Sequence, residues 1–336
     1  MLRHMRAIRR SAATRLIPAV VLLALLFASH TGVAQGAVSR GAALFAAEDY
    51  AAARAEFEAT LRRDPRDADA LFHMGRLALR DGRSSDAVDL FEKAIASNET
   101  RAEYHVWLGS ALGDEAQRAS KFRQPFLAKR VRAEFDRAVA LDPRSVQARF
   151  GAVQVYALLP GFMGGNMETA HKHAVELAVL NPYQGHMAAA FLAQREKNLS
   201  QAEKEYEGAI ATAPDSLGGY SGLAALQQRQ EHWEAAFAAY DRLLARRPGE
   251  PTATFQIGRL AAISGQQLDR GEQALKTWLA KPPKNASIQT QAGAHHRLGQ
   301  IYARTNRRDA ARAEFEEAVR INPKNEDAKR SLAELR

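Results

Sequence analysis

The sequence predicts an all-α protein built as an elongated array of helical hairpins, and three observations carry this prediction. Hydrophobic residues make up 46% of the chain, which is enough to form a core, while aromatic residues make up only 7%. Ala and Leu dominate the apolar residues, and runs of β-branched residues are scarce, a composition that favours helices. One pattern of aromatic, alanine and proline residues recurs along most of the chain, as expected for stacked repeats.

The recurring pattern is an aromatic residue, an alanine three residues later and a proline five residues after that. Its clearest copies are Phe135, Ala138 and Pro143; Tyr206, Ala209 and Pro214; and Phe315, Ala318 and Pro323. Further copies run from Phe57 to Pro65 and from Tyr240 to Pro248, with Leu243 in the alanine position, and Phe91 and Ala94 repeat the pattern without the proline. The step from Pro214 to Pro248 is 34 residues.

In these positions the chain resembles the tetratricopeptide repeat, a 34-residue helix–turn–helix unit. The first-helix residues that carry the resemblance are Leu71, Met74, Gly75, Trp107, Leu108, Gly109, Tyr220, Leu223, Ile257, Gly258, Leu298, Gly299 and Tyr302, and the second-helix residues add Ala53, Ala87, Ala202, Ala236 and Ala311. The resemblance spans 37–323. It implies a right-handed superhelical solenoid of about eight hairpins over 35–324, closed by a capping helix at 325–336.

Helix crossing explains these residue types. Small residues such as Gly75 and Gly299 let two helices approach closely, and large ones such as Phe91 and Phe315 fill the space between them. Proline ends a second helix because its ring cannot continue the hydrogen-bond pattern. One hairpin cannot bury its apolar face alone, so neighbouring hairpins must stack.

Three insertions interrupt the 34-residue step, near 110–131, 159–166 and 284–291. The segment 160–166 is rich in glycine, but it lacks the Gly-Lys-Ser/Thr sequence of a phosphate-binding loop and follows no strand. It is either a tolerated insertion between two helices or a loop that reaches a partner. Asn166 can cap a helix that starts at Met167.

The first 34 residues have the plan of a signal peptide. A basic stretch over 1–15 precedes an apolar run over 16–28, and small residues stand at Gly32 and Ala34 before a possible cleavage site. We therefore expect a periplasmic or secreted protein. The alternative is a chain anchored by an uncleaved leader, although the apolar run is shorter than the roughly 20 residues that span a bilayer.

Charge and composition argue against several functions. The formal net charge is +9, but five arginines lie in the first fifteen residues, so the remainder is nearly balanced and a nucleic-acid partner is not expected. The absence of cysteine excludes disulfides and thiolate chemistry. Neither the adjacent pair His295 and His296 nor the pair His171 and His173 has the spacing or the acidic partner of a zinc site, so they are interpreted as surface or groove-lining residues. No catalytic motif occurs, and neither an enzyme nor a cofactor is expected.

The resemblance also implies a binding surface, because the first helix of each repeat lines the concave side in this family. The groove positions follow the Leu-Gly pair by one residue and by five. They correspond here to Arg76, Arg80, Arg195, Arg229, Arg259 and Arg304, and Phe72, Met187, Phe191 and Phe255 are expected on the same face. Arginines there could hold a carboxylate or an acidic peptide by paired hydrogen bonds, or could simply be solvated.

The predicted function is therefore a non-catalytic adaptor of the cell envelope, which binds an extended peptide or a helix of a partner protein. Two alternatives remain open: a permanent subunit of an envelope assembly or polysaccharide export complex, and a solenoid that binds a lipid or small molecule for a transporter. Fold alone does not decide among them.

Overall fold

The computed structural model describes residues 38–335, and within that range every regular element is a helix, which confirms the all-α prediction. The predicted signal peptide, 1–34, lies outside the described residues. The chain divides into two compact units, of which the first ends at Thr100 and the second begins at Arg101. Each unit is a series of helical hairpins and is described by itself.

The first unit contains two hairpins. Its helices are α1 (38–46), α2 (Tyr50–Arg63), α3 (Ala68–Arg80) and α4 (Ser84–Ser97). Phe57 and Phe91, which the repeat pattern predicts as core residues, are fully buried.

The second unit contains six hairpins and a final helix. The hairpins pair α5 with α6, α7 with α8, and so on to α15 with α16. The bounds are α5 (Ala102–Arg118), α6 (Gln124–Leu141), α7 (Val146–Leu158), α8 (Met167–Leu180), α9 (Pro182–Arg195), α10 (Leu199–Thr212), α11 (Leu217–Arg229), α12 (Trp233–Arg246), α13 (Pro251–Ser264), α14 (Leu268–Ala280), α15 (Ile288–Arg304), α16 (Arg308–Ile321) and α17 (Glu326–Glu334). The last helix packs against α16 and α15 and buries Ala328.

Side-chain caps fix where many of these helices start. A side-chain oxygen of the residue before the helix accepts a hydrogen bond from a backbone N–H in the first turn, which satisfies a donor that the helix leaves free. This holds for Asp49, Asp67, Ser145, Asn166, Asn181, Asn198, Glu250, Ser287 and Asn325. Asn166 caps the helix starting at Met167, as predicted, through a bond of 2.8 Å from the Thr169 N–H.

Glycine against an aromatic ring sets the spacing within the hairpins. A Cβ added to Gly75 would lie 2.6 Å from the Phe91 ring, and one added to Gly299 would lie 2.6 Å from the Phe315 ring. Separations this short are closer than real Cβ atoms approach, so only glycine lets the two helices meet at these points. The predicted pairing of small and large residues is therefore confirmed.

The extra residues near 110–131 lengthen helices instead of forming a loop. Helices α5 and α6 contain 17 and 18 residues, and only 119–123 lie between them. The segment 159–166 forms a short 3-10 turn, Gly161–Met163, followed by Gly164 at a φ of 93°. This turn contacts α6, the helix of the preceding insertion. Within 38–335, no helix is both long and apolar enough to cross a membrane.

Candidate functional site

The first helices of the second unit form one face of that unit. Helix α5 packs against α7, α7 against α9, and α13 against α15. Side-chain hydrogen bonds join the helices in the middle of this series, from α11 to α9 and from α13 to α11. Residues on successive first helices therefore lie close enough to act together.

Arginine and glutamine side chains bridge these first helices. Arg229 on α11 donates to the Gln194 side-chain oxygen on α9. Arg259 on α13 donates from Nη1 to Gln228 Oε1 on α11 at 3.0 Å, and to Gln256 Oε1 on its own helix at 3.4 Å. Each guanidinium is thus oriented by an amide oxygen, which carries no charge of its own.

Arg297 on α15 extends this arrangement. Its Nη1 donates to Gln300 Oε1 at 2.8 Å. Burial lowers the pKa of Arg297, the positive charge of Arg259 lowers it further, and Asp327 acts in the opposite direction. Two like charges therefore lie near each other in partly dehydrated surroundings. We call this set of side chains the arginine–glutamine face; its members are Arg229, Arg259, Arg297, Gln194, Gln228 and Gln300.

In the described part of the chain, the arginines of this face and their neighbours Arg195 and Arg304 form no ion pair, although Asp327 acts on Arg297 from a greater distance. Within the described residues, no Asp or Glu oxygen lies within 4.0 Å of the guanidinium nitrogens of Arg195, Arg229, Arg259, Arg297 or Arg304. Helices α9, α11, α13 and α15 contain no acidic residue at all. Among the described residues, no carboxylate therefore neutralises these arginines by direct contact.

Arginines on the second helices are bound differently. Arg242 forms a two-pronged ion pair with Glu207, with N–O distances of 2.7 and 2.8 Å. This pairing lowers the pKa of the Glu207 carboxyl. Further ion pairs in the second unit join Arg246 to Asp215, Arg270 to Asp241, and Arg307 to Glu272. In this part of the chain, the second-helix arginines have carboxylate partners, whereas Arg229, Arg259 and Arg297 on the first helices have amide partners. Arg149 on α7, earlier in the unit, pairs with Glu176.

Two of the predicted groove arginines belong to the first unit. The Arg76 guanidinium lies 4.4 Å from the centre of the Phe45 ring, and that of Arg80 lies 3.7 Å from the centre of the Tyr50 ring. Arg80 also pairs with Asp81 at 3.2 Å. Cation–π contacts of this kind hold both guanidinium groups against aromatic rings.

Phe72 does not line an open surface, so this prediction is corrected. Its side chain is only 2% exposed, and its ring lies 5.8 Å from that of Phe91. The physical reason is the small Gly75 one turn later, which brings the second helix of the hairpin close and encloses the neighbouring ring.

The remaining apolar groove residues are partly buried in the second unit. Met187 and Phe255 pack against one core cluster, and Phe191 packs against another. Met187, Phe191 and the exposed Arg195 share helix α9 with Gln194, so the structure places these residues beside the arginine–glutamine face.

Arg304 is committed to a structural contact. Its Nε donates to the Ala262 carbonyl at 3.1 Å, and Nη2 donates to the Ile263 carbonyl at 3.3 Å. These carbonyls belong to the last turn of α13, which has no partners of its own for them. A cation there also complements the negative end of the helix dipole.

An apolar pocket of about 350 Å³ lies on the same series of first helices, near its start. It is lined by Trp107, Phe135, Phe150 and Gly151, with glutamine side chains at Gln147, Gln154 and Gln184. Gln184 is at the start of α9, the helix that ends in Gln194 and Arg195. One helix therefore connects the pocket to the arginine–glutamine face.

Of the histidines expected to be surface or groove-lining residues, His171 is exposed, whereas His296 is buried. His296 is 5% exposed and lies 3.1 Å from the Ser331 hydroxyl, because the final helix covers it. His295 lies 2.7 Å from a Glu314 oxygen, and His171 lies 2.8 Å from a Glu196 oxygen, partners that sequence spacing did not reveal. Within 38–335, no group of three or more acidic or histidine side chains could hold a metal ion.

Known proteins of the tetratricopeptide repeat type match this chain by sequence. A family model described as tetratricopeptide repeat matches 39–102, 73–124 and 221–286, and a second one matches 292–325. Together they cover more than half of the chain. Cellulose synthase operon protein C of Xanthomonas axonopodis pv. citri (strain 306) is 27% identical over 283 residues, which are 82% of this chain and 16% of that protein. The chain thus spans a small part of the curated relative it matches.

Solved structures are similar as well. A thermophilic TPR protein of Thermus thermophilus superposes with a TM-score of 0.51 at 23% identity, over 58% of this chain and 99% of that one. A tetratricopeptide repeat protein of Parabacteroides merdae ATCC 43184 gives a TM-score of 0.48 at 13% identity, over 80% of this chain and 98% of that one. At these identities, the first likeness supports the fold alone.

Proposed function

The chain belongs to the tetratricopeptide repeat family, and from this premise we propose that it is a non-catalytic scaffold of the cell envelope that binds an acidic segment of a partner protein. Tetratricopeptide repeats imply a protein-interaction scaffold. The binding surface in this proposal is the arginine–glutamine face. One observation carries the choice of an acidic partner, namely that arginines on this face have amide oxygens and no carboxylates as their partners.

An arginine whose guanidinium is held by an amide oxygen is already oriented to bind an anion. The guanidinium keeps its full charge, and the amide fixes its direction before the partner arrives. A partner carboxylate can then form paired, charge-assisted hydrogen bonds, which are about twice as strong as those between neutral groups. The pKa of Arg297 is lowered first by burial and then by the positive charge of Arg259, and a bound anion would offset that second effect.

A purely structural role would be served better by ion pairs. The second helices pair their arginines with carboxylates, as Arg242 is paired with Glu207. The first helices α9, α11, α13 and α15 contain no carboxylate that could do the same. This difference supports a face whose counter-charge comes from outside the chain.

The test is binding of fluorescent peptides by anisotropy. An extended peptide of alternating Glu and Gly is the probe, and one of alternating Lys and Gly is its counterpart. We expect the acidic peptide to bind and the basic one not to bind. Reversal of two charges in Arg229→Glu/Arg259→Glu should weaken acidic-peptide binding at least about 100-fold, because each lost charge-assisted contact contributes about 1.5–3 kcal/mol.

The matched control is Lys204→Glu/Arg312→Glu, which makes the same charge change at two exposed positions on α10 and α16. It should bind the acidic peptide nearly as the parent does. The conservative variant Arg229→Lys/Arg259→Lys keeps the charge but loses the planar fork, so its affinity should be intermediate. Equal weakening in the control, or parental binding by the reversed variant, would contradict the proposal.

Two observations support the proposed location in the cell envelope. The leader 1–34 has the composition of a signal peptide, which favours a periplasmic or secreted protein, or one anchored by an uncleaved leader. The name of the curated relative, cellulose synthase operon protein C, favours work beside a polysaccharide-synthesising assembly. That name also favours the second candidate, a permanent subunit of such an assembly. Stable co-purification with a membrane complex at high salt would distinguish a permanent subunit from a transient adaptor.

The third candidate is a solenoid that binds a lipid or small molecule. The pocket beside Trp107 and Phe150 favours it, but only for a small ligand. At about 350 Å³ it could hold one large apolar side chain or a small apolar molecule. Within the proposed function, it is the place for an apolar residue of the acidic partner.

A further inference from the structure

Two phenylalanine side chains are exposed to solvent where α5 joins α6. Phe122, in the turn between the helices, is 96% exposed, and Phe126, in the first turn of α6, is 64% exposed. Single exposed apolar residues are common, but two large rings four residues apart form a patch of the kind that marks an interaction surface. We call residues 118–132 the basic–aromatic segment.

Positive charge surrounds these rings. The basic–aromatic segment contains no acidic residue, and its basic residues are Arg118, Lys121, Arg123, Lys129, Arg130 and Arg132. Two acidic residues outside the segment contact it. Glu115 pairs with Arg123 at 2.9 Å, and Asp136 lies 3.8 Å from Arg132. Lys121 and Lys129 are exposed, and no carboxylate of the described residues lies within ion-pair distance of either.

Phe126 and several cations share the outer side of α6, and Phe122 precedes them in the turn. Leu127 and Val131 are buried against the rest of the hairpin. Phe126, Lys129 and Arg137 are exposed or half-buried and recur at helical spacing on the opposite side. Apolar rings and positive side chains therefore present one mixed surface directed away from the protein core.

We propose that the basic–aromatic segment binds the surface of an anionic lipid bilayer, with the rings of Phe122 and Phe126 in the boundary between headgroups and acyl chains. Surface-bound segments combine these two features, because the apolar side chains bury themselves in the interface while Lys and Arg attract anionic headgroups. An acidic protein would have to provide pockets for rings that project from a turn, whereas a fluid lipid interface accommodates them without a matching shape. This contact is peripheral, and it is independent of the arginine–glutamine face.

The chain contains no cysteine, so a single engineered one can be labelled specifically in the full-length protein. Ser120→Cys places an environment-sensitive fluorophore beside Phe122 and leaves both rings intact. Val179→Cys on α8 is the control, because Val179 is also apolar and strongly exposed, at 82%. Vesicles that mix phosphatidylserine with phosphatidylcholine are compared with vesicles of phosphatidylcholine alone.

We expect the label at position 120 to brighten and shift to shorter wavelength with the phosphatidylserine vesicles, and to respond little to phosphatidylcholine alone. The label at position 179 should not respond. Adding Lys121→Glu/Lys129→Glu should reduce vesicle partitioning at least about 25-fold, since each lost cation contributed about fivefold and the new carboxylates are repelled. The same charge change at the exposed pair Lys281→Glu/Lys284→Glu should leave the partitioning unchanged.

Three outcomes would overturn the proposal. One is the absence of a response at position 120 to the anionic vesicles. Another is an equal response of the two labels, which would mean that the chain adsorbs through a different region, the leader included. The third is a stronger response to poly-glutamate than to vesicles, which would assign the segment to an acidic protein.

Discussion

Gly299 and Gly293 lie on the same helix, α15, and should respond differently to the same substitution. A Cβ at Gly299 would lie 2.6 Å from two carbon atoms of the Phe315 ring and 3.2 Å from the Ala311 carbonyl oxygen. A Cβ at Gly293 would meet nothing within 4 Å. Gly293→Ala therefore changes helix propensity alone, whereas Gly299→Ala changes helix propensity and adds a steric conflict.

The magnitudes follow from these distances. Replacing glycine by alanine inside a helix stabilises it by about 1 kcal/mol, so Gly293→Ala should increase stability by about that amount. Gly299→Ala gains the same propensity but forces an extra methyl group into a packed contact, which costs about 1–3 kcal/mol. The Phe315 ring is only 2% exposed and cannot move away freely, and the Ala311 oxygen is part of the backbone. We expect Gly299→Ala to be the less stable variant by about 1–3 kcal/mol.

Hydrogen exchange of peptides from α15 and α16 is the suitable measurement, because a repeat array can open locally and need not unfold in one step. Faster exchange in Gly299→Ala than in Gly293→Ala, together with slower exchange in Gly293→Ala than in the parent, is the expected result. Adding Phe315→Leu should then cost less in the Gly299→Ala background than in the parent, since the smaller side chain makes room for the methyl group. Equal exchange in the two alanine variants would refute the steric explanation.

Two further predictions concern the same end of the second unit. Arg304→Met should weaken the last turn of α13 by about 1 kcal/mol, because the carbonyls of that turn lose the charged donor of their hydrogen bonds. Faster hydrogen exchange confined to that turn is the expected result, and unchanged exchange there would contradict the prediction. The pKa of His296 is lowered from its ordinary value of 6.5 to about 4, first by burial and then by the charge of Arg297, with Asp327 opposing. The unfolded chain therefore binds a proton at higher pH than the folded chain, and stability should fall as the pH falls from about 6.5 towards 4, by at most about 3 kcal/mol. His296→Gln should flatten this part of the pH profile of thermal unfolding, and an unchanged slope would contradict the assignment.

The fold was predictable because the repeat pattern records packing directly. Aromatic and small residues recur in the repeats because a ring packs where the facing helix has little or no side chain, as Phe91 meets Gly75 and Phe315 meets Gly299. Because every hairpin repeats the same pattern, the evidence for the fold adds up along the chain, and no single copy has to match the family pattern closely. Phe57, Tyr206 and Phe315 are accordingly buried where the pattern expects them.

The hairpin turns were harder to predict. A residue in the left-handed region, with positive φ, occurs at Glu48, Gly82, Lys197 and Glu231. Glycine adopts this conformation without strain, but Glu and Lys are not residues that signal it. The turn is imposed there by the two helices that it joins, so local sequence carries little trace of it.

The longer first insertion shows a related limit. Spacing alone indicates extra residues near 110–131 but not their conformation. The structure uses them to extend α5 and α6, which turns Phe126 and Lys129 onto the outer side of a helix. Such a placement depends on which residues pack inward, and that is decided by contacts with the neighbouring helices.

The groove prediction was incomplete for a physical reason that is visible in retrospect. Position within the repeat identified Arg229 and Arg259 but missed Arg297, and it could not separate Arg304, whose hydrogen bonds go to backbone carbonyls. It also missed Gln194 and Gln228, because glutamine is ordinarily a neutral choice on a helix surface.

The signal that would have revealed the face is the distribution of acidic residues between the two helices of the last four hairpins. Helices α9, α11, α13 and α15 contain none, whereas α10, α12, α14 and α16 all contain them. An arginine on a second helix therefore finds a carboxylate on its own or a neighbouring second helix, as Arg242 does in Glu207. On α11, α13 and α15, Arg229, Arg259, Arg297 and Arg304 bond instead to amide or carbonyl oxygens. Keeping carboxylates away from a row of arginines costs electrostatic stability, and a chain that forms ion pairs readily elsewhere would gain from placing them there. The arrangement is therefore better explained by an anionic partner than by the stability of the fold.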